Sequence, residues 1–239
     1  MSADLIQAST LNIENEEYKQ NSNLIVEAVP LRDQVVDIVR RMILKGELKS
    51  EEQISERQIS EMLKISTTPV KEAFRTLHVE GLIYSKPRKG SYISRMAKEH
   101  ILQIVFMRSA LDGVAAYFAA INGTDEHFFI MEQALKQVGD LISSNASHEE
   151  ISEKNTLFHM TLRKAAGNEY LRNLIMTMRS ADITFREMSL NISEEPNRAY
   201  KEHVEIFKAV SNRESDEAEK LMIGHIRRVA LFVMEDAKR

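Results

Sequence analysis

The 239-residue sequence predicts a mainly α protein, in which a small N-terminal domain with one β-hairpin precedes an all-α antiparallel six-helix bundle. Gly and Pro number only 8 and 4, and long segments repeat apolar residues at the spacing of a helix face. Residues 82–94 alone show the alternation that is typical of strands. With 43% apolar residues, the chain can form one large core or two small ones.

The composition excludes some kinds of chemistry. The sequence has no Cys, which excludes disulfides and cysteine nucleophiles, so a zinc site would have to use His, Asp, Glu or Asn.

The first twenty residues are polar and acidic and lack the pattern of a signal peptide. We expect no apolar run near the roughly 18 residues that span a bilayer. These observations predict a cytoplasmic protein without a membrane partner.

The N-terminal domain has four elements in a recognisable order. The apolar pattern predicts a first helix over residues 31–45, and Ser55 with Gln58 has the spacing of a capping box that starts a second. A third helix is expected over residues 66–81, followed by the hairpin of residues 82–94. Helix, helix, turn, helix and hairpin is the order of a winged helix-turn-helix.

The rest of the chain carries no strand signal and is interrupted only at short polar breaks. Because the connections are short, neighbouring helices are expected to pack antiparallel as a bundle. The six predicted helices cover roughly residues 98–122, 124–144, 148–166, 168–190, 194–212 and 214–237.

The third helix begins with short polar residues and a cation, which are the types that reach base edges and phosphates from the start of a recognition helix. Residues 31–95 contain 13 basic and 9 acidic residues, a net charge of +4 in a chain whose net charge is −4, which favours a polyanionic partner. The alternative is a solvated polar face. The candidate DNA contacts are Arg57, Ser66, Thr67, Thr68, Lys71, Lys86, Arg88 and Lys89.

Three of the seven histidines lie within apolar helical patterns on three different bundle helices: His159, His203 and His225. If they meet in the core together with one carboxylate or amide, they form a divalent-metal site with open positions. Asn155 lies one turn before His159 on the same helix face. The alternative is that each is an ordinary core histidine with a satisfied hydrogen bond.

The N-terminal segment resembles the DNA-binding domain of the GntR family of bacterial transcription regulators, over about residues 30–95. The motifs that carry the resemblance are Ser-Glu-Arg at 55–57, Thr-Thr-Pro-Val-Lys-Glu-Ala-Phe at 67–74, Glu-Gly-Leu-Ile at 80–83 and Lys-Gly-Ser-Tyr-Ile at 89–93. The resemblance implies a winged helix that binds a palindromic operator as a homodimer. Family members usually carry Arg at the position of Thr67 and often at that of Lys71, so the operator cannot be carried over.

Residues 98–237 resemble the FCD ligand-binding domain of FadR-type members of that family, and six helices are closer to its shorter, VanR-like subgroup. The motifs are Arg108-x3-Asp112, Asn155-x3-His159, Ala-Ala-Gly-Asn at 165–168, Glu202-His203 and His225. The resemblance implies a divalent metal such as Zn or Ni, held by Asn155, His159, His203 and His225. It further implies a small carboxylate effector in the same cavity, faced by Arg108.

Asn155 departs from the FCD pattern, which has an acidic residue at that position. A neutral amide oxygen is a weaker ligand for a dication, and the more cationic site would favour an effector with two or three carboxylates. The metal could instead be lost, which would leave three histidines to bind an anion directly. Arg108 could pair with Asp112 rather than face an effector.

These observations predict a sequence-specific transcription regulator, a repressor, whose affinity for its double-stranded operator is controlled by a small organic acid. One alternative is a constitutive regulator whose bundle only dimerises. A metal-dependent enzyme is disfavoured, because the sequence has no convincing general base beside the histidines and no nucleophile, phosphate-loop or dinucleotide motif. The predicted domains are a flexible tail at 1–29, a DNA-binding domain at 30–95, and an effector-binding and dimerisation domain at 96–239.

Overall fold

The computed structural model describes residues 30–178, 185–186, 188–192 and 194–236. The predicted flexible tail at 1–29 lies outside these residues. The described residues from Arg32 onwards form one compact unit. The predicted fold class is confirmed, because a small antiparallel sheet and a helix-turn-helix precede a C-terminal bundle.

The N-terminal part contains three helices and a three-stranded sheet. The sheet order is β1-β3-β2, both pairings are antiparallel, and Tyr84 of β2 faces Tyr92 of β3. The sequence did not predict β1, because two residues are too few for a periodic signal. In chain order the elements are α1 (Leu31–Lys45), β1 (Gln53–Ile54), α2 (Glu56–Leu63), α3 (Thr67–Val79), β2 (Ile83–Lys86) and β3 (Gly90–Ile93).

The turn between α2 and α3 is built from local signals. The Ser55 hydroxyl accepts from the backbone N–H of Gln58, and the Gln58 side chain accepts from the backbone N–H of Ser55, so the predicted capping box is present. Lys64, the residue directly after α2, adopts the left-handed conformation, with φ of 54°. The apolar faces then meet in a core that includes Val35, Val39, Ile59, Phe74, Leu77, Leu82 and Ile93.

The bundle is arranged around its longest helix. Its elements are α4 (Ala97–Asn122), α5 (Asp125–Ser143), α6 (His148–Ala165), α7 (Glu169–Thr177), α8 (Glu195–Ser211) and α9 (Ser215–Asp236). Helix α4 packs against α6, α7, α8 and α9, while α5 packs against α6 and α8. Because α6, α8 and α9 all lie against α4, side chains on their inner faces can meet beside it.

The predicted single helix over residues 168–190 is wrong in its extent. Helix α7 ends at Thr177, and helical residues return at 185–186 and 188–190. In the last turn of α7 the Thr177 hydroxyl donates to the carbonyl of Leu174 at 2.7 Å. No Gly or Pro marks this break, so apolar periodicity ran through it.

The expectation that no apolar run approaches membrane-spanning length also needs correction. By length and composition alone, α4 is apolar enough to cross a membrane. More than half of its apolar window is buried within the protein, which suits the central helix of a bundle. In the sequence, Arg108 and Asp112 interrupt the apolar run of α4. Both of these charged side chains are fully buried.

We expect Gly113→Ala to destabilise the protein and Gly224→Ala to stabilise it. A Cβ at Gly113 would lie 2.5 Å from Cγ1 of Ile223 on α9, whereas a Cβ at Gly224 meets nothing within 4 Å. Overpacking costs about 1–3 kcal/mol, and replacing an exposed helical Gly with Ala gains up to about 1 kcal/mol. Urea denaturation of both variants measures the difference, and equal midpoints would contradict the close packing of α4 on α9.

Candidate functional site

The structure brings the three predicted histidines together in the bundle. His159 lies on α6, His203 on α8 and His225 on α9, and their relative exposures are 2%, 2% and 6%. Nε2 of His203 lies 3.2 Å from Nε2 of His159 and 3.0 Å from Nε2 of His225. One ligand nitrogen from each residue lies within 4.8 Å of the others. We refer to these residues as the histidine cluster.

Hydrogen bonding alone does not satisfy the histidine cluster. A ring nitrogen carries either a proton or a lone pair, so Nε2 of His203 cannot make linear hydrogen bonds to both of its neighbours. A cation that accepts three lone pairs at once would remove this conflict. Metal–nitrogen bonds of about 2.0–2.1 Å are compatible with donor atoms about 3 Å apart.

Burial keeps two members of the cluster neutral. Desolvation lowers the pKa of His159 and His203 well below the usual value, and the neighbouring histidines and Arg186 lower it further. Neutral imidazole is the form that binds a metal. The environment therefore prepares these side chains as metal ligands.

Asn155 lies beside the cluster, as its spacing from His159 predicts. It lines a cavity of about 20 Å³ together with His203 and His225, and its relative exposure is 8%. Among the described residues, its Oδ1 has no hydrogen-bond partner. A buried amide oxygen without a donor is costly, and a cation in the cavity would satisfy it. Three imidazoles and one amide therefore fit a divalent transition metal.

Two carboxylates and one arginine lie behind the cluster. Nδ1 of His225 lies 2.7 Å from Oε2 of Glu202, and Arg228 donates to Glu202 at 2.7 Å and to both oxygens of Glu195 at 2.8 Å. Burial would raise the pKa of Glu202, but hydrogen bonds from His225 and Arg228 outweigh it and hold the pKa below its usual value. Glu202 is thus ionised and fixes a proton on Nδ1 of His225.

Arg108 lies in a second charged group on the buried side of α4 and α6. Its Nη2 is 2.8 Å from Oδ2 of Asp112, while Nε of Arg163 donates to Oδ1 of Asp112 at 2.6 Å. Burial would raise the pKa of Asp112, and the two guanidinium groups hold it below its usual value. Arg108 is absent from the described cavity lining, so the structure places it in the ion pair that the sequence left as the alternative.

Sequence reasoning missed Arg163, Arg186, Glu195 and Arg228, and it gave Glu202 no role beyond its place in a motif. One signal was available for Arg163, because Asn155, His159 and Arg163 follow one another at intervals of four on a single helix face. Glu202 precedes His203 directly, and neighbours on a helix diverge by about 100°, so the sequence predicts no shared site for the two side chains. The structure turns Glu202 towards His225 of the next helix instead.

The recognition helix α3 presents its predicted polar residues to solvent. Ser66, Thr67, Thr68 and Lys71 are exposed, and Ser66 is the N-cap without a side-chain capping bond, which leaves its hydroxyl available. The helix N-terminus is also a favourable position for a phosphate. Arg57 is 86% exposed and forms an ion pair with Glu61 at 2.7 Å.

The three cations of the wing differ in exposure and in their contacts. Arg88 and Lys89 are exposed at the tip, and Arg88 adopts a φ of 62°. Nζ of Lys86 instead lies 3.5 Å from Glu51 and 4.2 Å from the ring centre of Tyr92. The structure therefore presents Arg88 and Lys89 outwards and holds Lys86 against the sheet.

An exposed recognition helix and wing, joined to a helical bundle with a buried donor cluster, define a DNA-binding regulator. Residues 31–93 match the family model described as bacterial regulatory proteins, gntR family, and residues 103–228 match the FCD domain. The chain therefore belongs to the GntR family of transcription regulators with an FCD domain. As predicted, the matched families and relatives are regulators and not enzymes.

Individual relatives and one solved structure agree with this assignment. The chain is 27% identical to the HTH-type transcriptional repressor RspR of Escherichia coli (strain K12), over 86% of this chain and 90% of that protein. It is 28% identical to the HTH-type transcriptional regulator LutR of Bacillus subtilis (strain 168), over 79% and 94%. The solved structure of E. coli McbR/YncC shares the fold, with a TM-score of 0.61 at 16% identity over 87% and 99%.

Asp112→Asn should destabilise the fold by about 3–5 kcal/mol, because two buried guanidinium groups lose their carboxylate. The folded-state pKa of Asp112 is depressed, so its contribution is fully present above the unfolded pKa of about 4 and is lost progressively as pH falls from there through the lower folded-state pKa. Urea denaturation at pH 7 and pH 3 measures the two differences. The control is Asp140→Asn at an exposed position, which should change the free energy of unfolding by less than about 0.5 kcal/mol. Equal losses of stability in the two variants would contradict the role of the buried pair.

Proposed function

We propose that this chain is a cytoplasmic repressor that binds a palindromic operator as a homodimer and is controlled by a small carboxylate held at a metal site. Residues 30–95 would bind the DNA, and residues 96–239 would bind the effector and dimerise. The observation that carries the proposal is the buried histidine cluster beside the oxygen of Asn155, which has no partner among the described residues, in a chain that also presents a recognition helix.

The DNA contacts follow from exposure and charge. Thr67, Thr68 and Lys71 at the start of α3 would read base edges in the major groove, while Ser66 and the helix N-terminus hold a phosphate. Arg57 would exchange Glu61 for a phosphate. Arg88 and Lys89 would follow the backbone or enter the minor groove, and Lys86 would mainly hold the wing in shape.

Dimerisation is supported by an exposed apolar face on α4. Leu102, Gln103, Phe106 and Met107 line an open, mainly apolar depression of about 470 Å³, and Met107 is 54% exposed. Exposed apolar patches of this kind mark protein–protein contacts. A two-fold contact between two copies would pair two winged helices for a palindrome.

The metal site would use His159, His203, His225 and Asn155 to hold Zn²⁺ or Ni²⁺. When bound, the metal supplies a positive charge that attracts a carboxylate. Arg186 lines the same cavity and adds to this attraction. A cavity of about 20 Å³ has room for an ion or one water molecule, so a carboxylate effector requires its lining to open.

This requirement connects the effector to the DNA. An effector that binds only the open lining shifts the population towards that state by its difference in affinity for the two states. If the two states space the winged helices differently, the effector changes the operator affinity, and DNA changes the effector affinity by the same factor.

Lys71→Ala should weaken binding to the operator by about 1–3 kcal/mol, because one base-edge or phosphate contact is removed. Lys89→Ala should weaken binding to all sequences and reduce the salt slope by about 1. Lys201→Ala, on an exposed bundle position, is the control. Fluorescence anisotropy with DNA from upstream of the chain's own gene, at several salt concentrations, measures all three. Absence of sequence-selective binding by the wild type would contradict the proposal.

The wild-type protein should contain about one divalent metal per chain, and His159→Ala should lose it because one of three imidazole donors is removed. Added Zn²⁺ should raise the melting temperature of the metal-free wild type, since binding to the folded state stabilises it. Elemental analysis and thermal melts provide the measurements, with the exposed His148→Ala as the control. If the wild type contains no metal and its melting temperature does not change with Zn²⁺, the metal site is ruled out.

A further inference from the structure

His225 differs from the other two histidines in what holds its ring. Its Nδ1 is 2.7 Å from Oε2 of Glu202, whereas Nδ1 of His159 and Nδ1 of His203 have no hydrogen-bond partner within the described parts of the chain. The bond to Glu202 places the proton of a neutral imidazole on Nδ1. The lone pair of His225 is then on Nε2, the atom that lies 3.0 Å from His203.

Glu202 is itself held in place from a second side. Nε of Arg228 lies 2.5 Å from Oε1 of Glu202, and Nη2 of Arg228 donates to Oε2 at 2.7 Å. The same guanidinium group donates to both oxygens of Glu195. A carboxylate with both oxygens engaged has little freedom to rotate, so Glu202 presents a fixed acceptor to His225.

The electrostatic balance at the cluster shows why this contact matters. The candidate donors are three imidazoles and the amide of Asn155, and none carries a negative charge. Arg186 and Glu195 both line the cavity, and both oxygens of Glu195 accept hydrogen bonds from Arg228. A dication would therefore enter a neutral donor set, which is unfavourable unless an anion is close to the donors. Glu202 is the carboxylate that contacts one of the donors directly.

We propose that Glu202 is the positioning residue of the metal site, and that it supplies through His225 the negative charge that the neutral donor Asn155 does not. A carboxylate hydrogen-bonded to a ligand histidine orients the ring and increases its basicity, and losing such a partner typically costs 10–100-fold in metal affinity. The inference rests on the metal site proposed above and adds a residue that is not itself a ligand.

The test measures Zn²⁺ affinity of the full chain by competition with a chromophoric chelator at one fixed pH. Glu202→Gln keeps the shape and removes the charge, and should weaken Zn²⁺ binding by about 10–100-fold. Glu205→Gln is the matched control, because Glu205 is exposed on the same helix and pairs with Lys208. Its affinity should stay within about twofold of the wild type.

Asn155→Asp separates a charge effect from a structural one. Added to Glu202→Gln, it returns a negative charge to the donor set and should recover most of the lost affinity. It should not recover the stability lost with the Arg228 contact, which urea denaturation of the metal-free proteins measures. In ¹⁵N spectra of the metal-free wild type, His225 should carry its proton on Nδ1, and Glu202→Gln should reduce that preference.

The outcomes distinguish the two proposals. Wild-type Zn²⁺ affinity in a folded Glu202→Gln protein, or failure of Asn155→Asp to recover affinity, overturns the role of Glu202 and leaves the metal site standing. No Zn²⁺ binding by the wild type overturns both. A Glu202→Gln protein that does not fold is replaced by Glu202→Asp, which keeps the charge on a shorter side chain. For that variant, a loss of Zn²⁺ affinity of about 10–100-fold would also count against a charge effect.

Discussion

The buried carboxylate of Asp112 is the constraint on which the bundle depends. It accepts hydrogen bonds from Arg163 on α6 and pairs with Arg108 on its own helix, all within the core. Buried ions each cost several kcal/mol to desolvate, so this pairing tolerates little displacement of α6 along α4. His159 and Asn155 lie one and two turns before Arg163 on the same face. The ion pair that sets the position of α6 therefore also sets two of the four candidate donors.

The same physics explains why the histidine cluster is poised for a cation. Three imidazoles meet at nitrogens that cannot all satisfy one another, and Asn155 adds an oxygen without a described partner. Such groups are unfavourable in a dry core unless something binds them. A metal whose ligands come from three helices would stabilise the bundle as it binds, so occupancy and packing are linked. In the proposed site, Arg186 in the cavity lining would favour an anion as a further ligand.

Much of the fold could be read from the sequence, because its signals are local. The capping box of Ser55 and Gln58, the basic hairpin and the helix periodicities each depend on residues close in the chain. The errors have equally local causes. Strand β1 is too short to show alternation, and no Gly or Pro marks the end of α7 at Thr177. The candidate DNA contacts remain predictions, although all of them except Lys86 are exposed, which agrees with that role.

The fold class, the family and the three histidines that meet could be predicted from the chain alone, because motif spacing and helix faces are local properties. The partners of those side chains were established by the folded structure. In the folded protein Glu202 contacts His225 of the next helix, and Arg108 forms an ion pair with Asp112. These choices depend on how helices far apart in sequence rotate against one another. That rotation is set by packing and by the pairing of buried charge, which no short stretch of sequence contains.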